Sequence, residues 1–253
     1  PLHKLDDLMD EVGELVINKI RLASIARELG DTPLEESLTQ MGRLTDELQV
    51  GIMDIRLVPM EYIFNRFPRL VRDVAAQENK EVDFVIEGSD IGLDRAILEE
   101  IHEPLVHLLK NAVSHGIELP EQRKNSGKNP AGRISVSARR ERAYVIIEVS
   151  DDGSGIDVAQ VRKTALERGL VSHDEAERLN DEEALMLITL LGFSTSPVVT
   201  EASGRGVGMY SAKLKVDSFG GELTIKSKVN EGSRFILKLP LSMAIVQALL
   251  VGV

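Results

Sequence analysis

The stretch "HLLKNAVSHGIE", residues 107–118, places three polar side chains at intervals of four residues. In an α-helix, His107, Asn111 and His115 would lie along one face. The residues of another face are apolar: Leu105, Leu108, Leu109 and Ala112. Such a polar row is usually only a solvated face. The residue types nevertheless favour a ligand, because an asparagine oxygen suits Mg²⁺ beside phosphates and histidine accepts protons near neutral pH.

The composition narrows the classes of protein. The 253 residues are 43% hydrophobic and 28% charged, which is typical of a globular chain of one or two domains. The absence of cysteine excludes disulfides and thiol-ligated zinc and fits a reducing compartment. A net charge of −11 argues against nucleic acid as a partner. Neither a signal peptide nor an apolar run of roughly 18 residues is present, so we expect a cytoplasmic protein without direct membrane insertion.

Residues 1–60 are predicted to form an antiparallel helical hairpin. Apolar residues recur at alternating steps of three and four between Leu5 and Leu29, and Gly30 suits the end of that helix. The following residues have the pattern of a capping box for a second helix: Thr32, Pro33 and Glu35. Two helices have little on which to bury both faces, so we expect a homodimer that forms a four-helix bundle. The alternative is that the hairpin packs on the rest of its own chain.

Residues 61–240 alternate between helical and strand patterns, and the strands occur in adjacent runs. Helices are predicted after Pro68 and over 93–116, 158–170, 181–192 and 206–221. Strands are predicted over 81–88, over two segments of 132–153, and over 221–229 and 232–241. The pattern predicts an α+β fold, a two-layer sandwich of helices on a sheet. Residues 241–253 are predicted to begin a further domain.

A second motif, "SDDGSGID" at residues 150–157, follows a predicted strand. Asp151 at the strand end can accept a hydrogen bond from a ligand, while Gly153 and Gly155 let the backbone approach a flat ring. The alternative is an ordinary Asp-Gly hairpin turn. A helical pattern rather than a strand follows, which weakens that alternative.

A third motif, "SGRGVGMYSAK" at residues 203–213, opens a predicted helix with glycines at every second position. Amide groups at such a helix start bind phosphate, and the helix dipole favours its negative charge. No strand precedes the motif, which excludes a Rossmann site, and no Gly-Lys-Ser/Thr occurs, which excludes a P-loop. We therefore expect a loop that covers phosphates, with "GFSTSP" at 192–197 as its other stem.

The order and spacing of the three motifs resemble the Bergerat nucleotide-binding fold of the GHKL superfamily, which includes gyrase, Hsp90, histidine kinases and MutL. Within it, "EPLVHLLKNAVSHGIE", "DDGSGID", "GFST", "GRGVGM" and "LPLSMAI" are similar to the chemotaxis histidine kinases. The resemblance implies ATP and Mg²⁺ as cofactors. It also implies a dimerisation hairpin over 1–60, a kinase domain over 61–240, and the truncated start of an SH3-like coupling domain over 241–253.

The resemblance also implies roles for individual residues. Asn111 would hold Mg²⁺ against the phosphates, and Asp151 would pair with the adenine amino group. His107 would be the catalytic base for the incoming nucleophile, with Lys110 and His115 near the phosphates. The other implied ATP-binding residues are Gly153, Gly155, Ile156, Ser194, Thr195, Gly204, Arg205, Gly206, Val207, Gly208 and Met209. The chain departs from the family pattern at Ser114, where aspartate is common, and at 209–212, where the family usually reads "MDVV".

The implied reaction is transfer of the ATP γ-phosphoryl group to a histidine on a separate phosphotransfer domain, followed by relay to aspartates of response regulators. The implied partners also include chemoreceptors and a CheW-type coupling protein, which would recruit the chain to membrane receptor arrays. None of the five histidines looks like the phosphoacceptor, and His173 is placed in a polar turn between helices. The alternatives are a GHKL-type ATPase, which would favour glutamate at position 107, and a catalytically weak nucleotide-binding scaffold.

Overall fold

The computed structural model of the chain describes residues 3–30, 32–193 and 208–241. The chain divides into two units, one containing the residues up to Val58 and the other spanning Pro59–Leu241. Within the described residues, no helix has both the length and the apolar character that a membrane crossing requires.

Two long helices, α1 (His3–Leu29) and α2 (Thr32–Arg56), form the first unit. Gly30 has a φ of +67°, the left-handed conformation that suits glycine after a helix end, as predicted. Helix α2 already includes Thr32, so the prediction of Thr32 as the N-cap placed the helix start one residue late. The residue before it, at position 31, lies outside the described part.

The hairpin buries only part of its apolar seam. The buried members are Val12, Val16, Ala26, Leu38 and Ile52. Other apolar side chains remain exposed: Leu8, Leu15, Leu22, Leu29, Leu34, Met41, Leu48 and Ile55. Lys19 takes the place of an apolar residue between Leu15 and Leu22 in the repeating pattern of α1. Its Nζ lies 3.8 Å from the Asp46 carboxylate across the hairpin. The unit therefore presents the kind of apolar row that helical bundles bury between copies.

A five-stranded sheet forms one layer of the second unit. Its strands are β2 (Val82–Glu87), β4 (Gly132–Glu141), β5 (Tyr144–Asp151), β6 (Glu222–Lys228) and β7 (Gly232–Pro240), and two short strands, β1 (Leu57–Pro59) and β3 (Gly92–Asp94), lie outside it. The order across the sheet is β2, β4, β5, β7, β6. Strands β2 and β4 are parallel, and the other neighbours are antiparallel.

The described helices of the second unit pack against this sheet and against one another. They are α3 (Glu61–Phe64), α4 (Phe67–Gln77), α5 (Arg95–Asn111), α6 (Pro120–Asn125), α7 (Val158–Glu167), α8 (His173–Arg178), α9 (Asp181–Met186) and α10 (Gly208–Ser218). Alternate strand residues are buried, among them Val145, Ile147 and Val149 of β5. On β4, Arg133 and Arg139 point to the opposite face and are exposed. This arrangement is the predicted α+β sandwich.

The segment 158–192 contains more helices than predicted. It forms α7, α8 and α9 and then a 3₁₀ turn at Leu187–Thr189. His173 begins α8, so its placement in an inter-helix turn is wrong. The physical reason is a capping box in which the Ser172 hydroxyl accepts from the Glu175 amide and Glu175 accepts from the Ser172 amide.

Candidate functional site

Helix α5 carries His107 and Asn111 to one end of the sandwich. Its apolar face is buried at Leu105, Leu108 and Leu109. The Asn111 amide nitrogen lies 3.0 Å from Nε2 of His107. Burial lowers the pKa of His107, and the charges of Lys110 and His115 lower it further. The ring is therefore neutral at pH 7, and its Nε2 accepts the amide hydrogen as the Nδ1–H tautomer.

The Asn111 amide suits a Mg²⁺ ion that is shared with phosphates. The bond to His107 uses the amide nitrogen, so the amide oxygen faces away from the ring and keeps its ability to ligate a cation. Mg²⁺ commonly takes one or two protein oxygens and completes its shell with phosphates and waters. Across the described ranges, no three His, Cys, Asp or Glu side chains form a cage for a metal. The residues therefore fit a metal held jointly with a nucleotide.

A π-helical turn, Ala112–Gly116, follows Asn111 directly. The amide of Ile117 donates to the Ala112 carbonyl over 2.8 Å, five residues back. The α-helix predicted over 93–116 therefore ends at Asn111, and its last turn is π-helical instead. His115 and Lys110 are both exposed at this end of α5.

Lys80 holds this turn from outside the motif. Its Nζ donates to the carbonyl oxygens of Val113 and Ser114 over 2.8 and 2.7 Å. It also pairs with Glu78 over 2.8 Å, and the Ser114 hydroxyl donates to the same carboxylate. Although burial raises the pKa of Glu78, the hydrogen bonds from Lys80 and Ser114 hold it below its usual value. Ser114, where the family pattern favours aspartate, therefore binds Glu78 here.

Asp151 ends the central strand β5 and is 9% exposed. Burial raises the pKa of this carboxyl to about 6, and the charges of Asp152 and Glu118 act in the same direction. The backbone amides of Gly153 and Ser233 bond to the carboxylate and partly offset that shift. At neutral pH the side chain is mostly ionised and accepts hydrogen bonds.

The glycines beside Asp151 are required by close backbone approaches. A Cβ on Gly153 would lie 2.0 Å from the Gly116 carbonyl oxygen, and a Cβ on Gly116 would lie 3.0 Å from an Asp151 carboxylate oxygen. Gly155 has a φ of +69°, and a Cβ there would lie 2.1 Å from the Lys228 carbonyl oxygen. The second motif is thus packed directly on the π-helical turn of the first.

The third motif meets the first at Gly208. A Cβ on Gly208 would lie 2.1 Å from Cε1 and 2.2 Å from Nε2 of His107, so the start of α10 lies against that ring. Met209 follows on the same helix and is partly buried. The remaining predicted residues of the phosphate-covering loop lie outside the described residues: Ser194, Thr195, Gly204, Arg205, Gly206 and Val207.

A buried ionic cluster behind Asp151 was missed by the sequence reasoning. Arg123 is 1% exposed and pairs with Glu118 over 2.8 Å and with Asp152 over 2.9 Å. Lys128 pairs with the other Glu118 oxygen over 2.8 Å. The sequence around Arg123 and Lys128 is polar and is typical of a surface loop. The only signal that links it to the second motif is that Asp152 directly follows Asp151.

Comparison with known families gives two matches along this chain. The family described as "Signal transducing histidine kinase, homodimeric domain" matches residues 1–55. The family described as "Histidine kinase-, DNA gyrase B-, and HSP90-like ATPase" matches residues 100–243, more than half of the chain. The chain belongs to this ATPase family. The fold expected from the three motifs is therefore confirmed, and His107, Asn111, Asp151 and Gly208 all lie within the residues that match the ATPase family.

Several relatives of this chain bear the name "Chemotaxis protein CheA". The Bacillus subtilis protein is 42% identical over 250 residues, which cover 99% of this chain and 37% of that protein. The Halobacterium salinarum protein is 44% identical with the same coverage. The Salmonella typhimurium protein is 41% identical over 255 residues, which cover 100% of this chain and 38% of that protein. The chain thus spans less than two fifths of the length of these relatives.

Proposed function

We propose that this chain is the dimerisation and ATP-binding core of a chemotaxis histidine kinase. The observation that carries the proposal is the convergence of three motifs that are far apart in the sequence. Gly116 of the first packs on Asp151 of the second, and His107 of the first packs on Gly208 of the third. The similarity to relatives named chemotaxis protein CheA supports this function over those of other members of the ATPase family.

In the proposed pocket, the ionised carboxylate of Asp151 accepts a hydrogen bond from the adenine amino group. Asn111 holds Mg²⁺, which when bound neutralises charge on the phosphates. The phosphates lie near Lys110, His115 and the amide-rich start of α10. The remaining proposed ATP contacts are Gly153, Gly155, Ile156 and Met209, together with Ser194, Thr195, Gly204, Arg205, Gly206 and Val207.

We propose His107 as the base that receives the proton of the incoming nucleophile. Its lowered pKa makes the neutral, proton-accepting ring the dominant form at pH 7. In this structure the accepting nitrogen is bonded to Asn111. The nucleophile therefore has to replace that amide at Nε2, which couples proton acceptance by His107 to a movement of the metal-holding side chain.

The phosphoryl acceptor in this proposal is a histidine on a separate phosphotransfer domain, from which response regulators take the phosphoryl group. Two copies of the chain pair through residues 1–60, a proposal supported by the exposed apolar row and the match to a homodimeric domain. Chemoreceptors and a CheW-type coupling protein complete the proposed assembly. The location proposed for it is the cytoplasmic side of membrane receptor arrays.

Calorimetry with a non-hydrolysable ATP analogue and Mg²⁺ tests the pocket. We expect the unmodified chain to bind and Asp151→Asn to bind far more weakly. Asp157→Asn is the matched control, because asparagine replaces aspartate equally well as the N-cap of α7. Equal affinity of the Asp151→Asn and Asp157→Asn variants would remove Asp151 from the pocket.

Labelled ATP and an isolated phosphotransfer domain test the reaction. Label on the histidine of that domain supports the kinase. Steady release of phosphate without that label indicates an ATPase instead, and nucleotide binding with neither product indicates a scaffold. The presence of histidine at position 107, where an ATPase of this superfamily would favour glutamate, speaks for the kinase.

A further inference from the structure

The side chain of Arg123 is almost completely withdrawn from solvent, yet the proposed reaction does not use it. Its guanidinium donates to Glu118 over 2.8 Å, to the Asp152 carboxylate over 2.9 Å and to the Asn129 carbonyl over 2.6 Å. Buried ion pairs contribute little net stability, because desolvation of the charges offsets their attraction. The cluster therefore calls for a reason other than stability.

Lys128 completes the cluster with three well-defined bonds. Its Nζ donates to Glu118 over 2.8 Å, to the Asp152 carbonyl over 3.0 Å and to the Gly153 carbonyl over 2.6 Å. An ammonium group has three hydrogens, so all of its donors are used. Two of the three acceptors are consecutive backbone carbonyls of the loop that leaves Asp151.

The peptide between Asp152 and Gly153 is held from both sides. Its carbonyl accepts from Lys128, and its amide donates to Oδ1 of Asp151 over 2.9 Å. The Asp152 carboxylate is also fixed, since its Oδ1 accepts from the Arg133 amide over 2.8 Å. The orientation of the Asp151 carboxylate thus depends on a peptide plane that Lys128 anchors, with Arg123 donating to the same carbonyl oxygen over 3.3 Å.

We propose that Lys128 is a positioning residue of the nucleotide pocket, which acts through the Asp152–Gly153 peptide on the carboxylate of Asp151. This inference rests on the proposed function. Glu118 and Arg123 act with it: Glu118 accepts from both cations, and Arg123 binds the Asp152 side chain. The two cations also offset the carboxylates of Glu118 and Asp152, which otherwise oppose ionisation of Asp151.

The test compares Lys128→Met and Lys128→Arg with the unmodified chain by calorimetry with the ATP analogue and Mg²⁺, from pH 5 to pH 8.5. We expect Lys128→Met to weaken binding about tenfold at pH 7, since a charged hydrogen bond to the loop is lost. The midpoint of its pH profile is expected to move upward, because the neighbouring carboxylates are no longer offset. Lys128→Arg is expected to restore most of both properties.

The matched control is Lys124→Met, which removes an equal charge from an exposed position on α6. It should leave affinity and pH midpoint unchanged. A second variant, Glu118→Gln, removes a charge that raises the pKa of Asp151. Its pH midpoint is expected to move downward, opposite to that of Lys128→Met, which a general loss of folding would not produce.

Two results would overturn the inference in distinguishable ways. If Lys128→Met lowers the melting temperature but keeps the affinity and pH midpoint of the unmodified chain, Lys128 is merely structural and the proposed function stands. If the unmodified chain binds no nucleotide, the proposed function fails and the inference fails with it. Should Lys128→Met not fold, an unmoved pH midpoint in Glu118→Gln is by itself sufficient to reject the inference.

Discussion

Asp151 combines two opposed requirements in a single side chain. The proposed recognition of the nucleotide needs a charged acceptor, whereas a buried position at a strand end favours the neutral acid. The backbone amides of Gly153 and Ser233 lower its pKa but do not cancel the effect of burial, and the pKa remains at about 6. A buried group whose pKa is perturbed in this way is typical of a functional position.

Nucleotide affinity is expected to fall as the pH drops through about 6, because protonation of Asp151 removes the charged acceptor. Calorimetry with the ATP analogue between pH 8 and pH 5 measures the profile. The weak residual affinity of Asp151→Asn should vary little over this range. An affinity of the unmodified chain that is the same at pH 8 and pH 5 would exclude Asp151 as the titrating contact.

The raised pKa of Asp151 also affects folding. The free energy of unfolding should fall as the pH rises, whereas nucleotide affinity should increase. The folded chain raises the pKa of Asp151 from 3.8 to about 6, so it binds this proton more tightly than the unfolded chain. The stability gained from the proton is complete below 3.8 and is lost as the pH rises through about 6. Without nucleotide, Asp151→Asn is therefore expected to be more stable at pH 7.5 by on the order of 1–3 kcal/mol.

Urea denaturation of the unmodified chain and of Asp151→Asn at pH 4.5 and pH 7.5 measures the difference in their free energies of unfolding. The advantage of Asp151→Asn should be larger at pH 7.5, and Asp157→Asn should show no such dependence. An advantage that shrinks as the pH rises would mean that folding lowers the pKa of Asp151 instead of raising it.

Gly208 provides a prediction about the reaction step. In Gly208→Ala the new methyl group overlaps the His107 ring, so the ring has to move and its bond to Asn111 is lost. We expect phosphoryl transfer to the phosphotransfer domain to slow roughly 10–100-fold, as for other small displacements of reacting groups. Gly51→Ala is the control, since among the described residues nothing beyond its own helix lies within 4 Å of the added carbon. Equal transfer rates of the two variants would show that the placement of His107 does not matter.

At the scale of elements, the π-helical turn determines the shape of the site. It lies between Asn111, proposed at the metal, and Gly116, which touches Asp151. The four-residue spacing predicted an unbroken α-helix because only local periodicity was available. The turn is held by Lys80, 33 residues before Val113, and no local pattern reveals such a partner.

Lys80→Met is expected to destabilise the second unit by roughly 1–3 kcal/mol, because it leaves the Val113 and Ser114 carbonyls and the Glu78 carboxylate without this donor. Nucleotide affinity should fall as well, since the turn carries the contact to Asp151. Denaturation and calorimetry on the same preparation measure both. Lys163→Met, at a 66% exposed side chain, is the control and should change neither. If Lys80→Met has the same free energy of unfolding as the unmodified chain, the π-helical turn does not depend on Lys80.

Other elements show which signals the sequence does contain. The starts of α8 and α9 carry capping boxes at Ser172 with Glu175 and at Asn180 with Glu183, so both helices were predictable from spacing alone. The burial of Arg123 was not, because its acceptors come from three different segments. Local hydrogen-bonding patterns such as capping boxes can be predicted from the sequence, whereas a cluster of residues that are distant in the sequence is recognised only in the folded structure.

At the scale of the whole molecule, the two units divide the proposed tasks. The described residues of the proposed pocket all belong to the second unit, and the exposed apolar row of α1 and α2 belongs to the first. The sandwich was predictable because the alternation of apolar and polar residues within the strands and the order of the motifs are both visible in the sequence. The strand order was not, since β2 pairs with β4 and β5 with β7 across long intervening segments.

Leu15→Asp combined with Leu48→Asp is expected to convert the proposed dimer into monomers, because both side chains belong to the exposed apolar row. Nucleotide affinity should remain, since the pocket residues lie in the other unit. Sedimentation and calorimetry measure the two properties. Leu214→Asp, at a 50% exposed position in the second unit, should keep the dimer. A double variant that sediments like the unmodified chain would exclude the hairpin seam as the interface.

The position of β5 in the sheet has a consequence for how a nucleotide is received. Its backbone is bonded to β4 on one side and β7 on the other, so the strand that ends at Asp151 has no free edge. Amide hydrogens of such a strand exchange with solvent only when a large part of the domain opens. In the proposed pocket, the carboxylate that would meet the purine is therefore carried by a strand whose backbone is held in place before the ligand arrives.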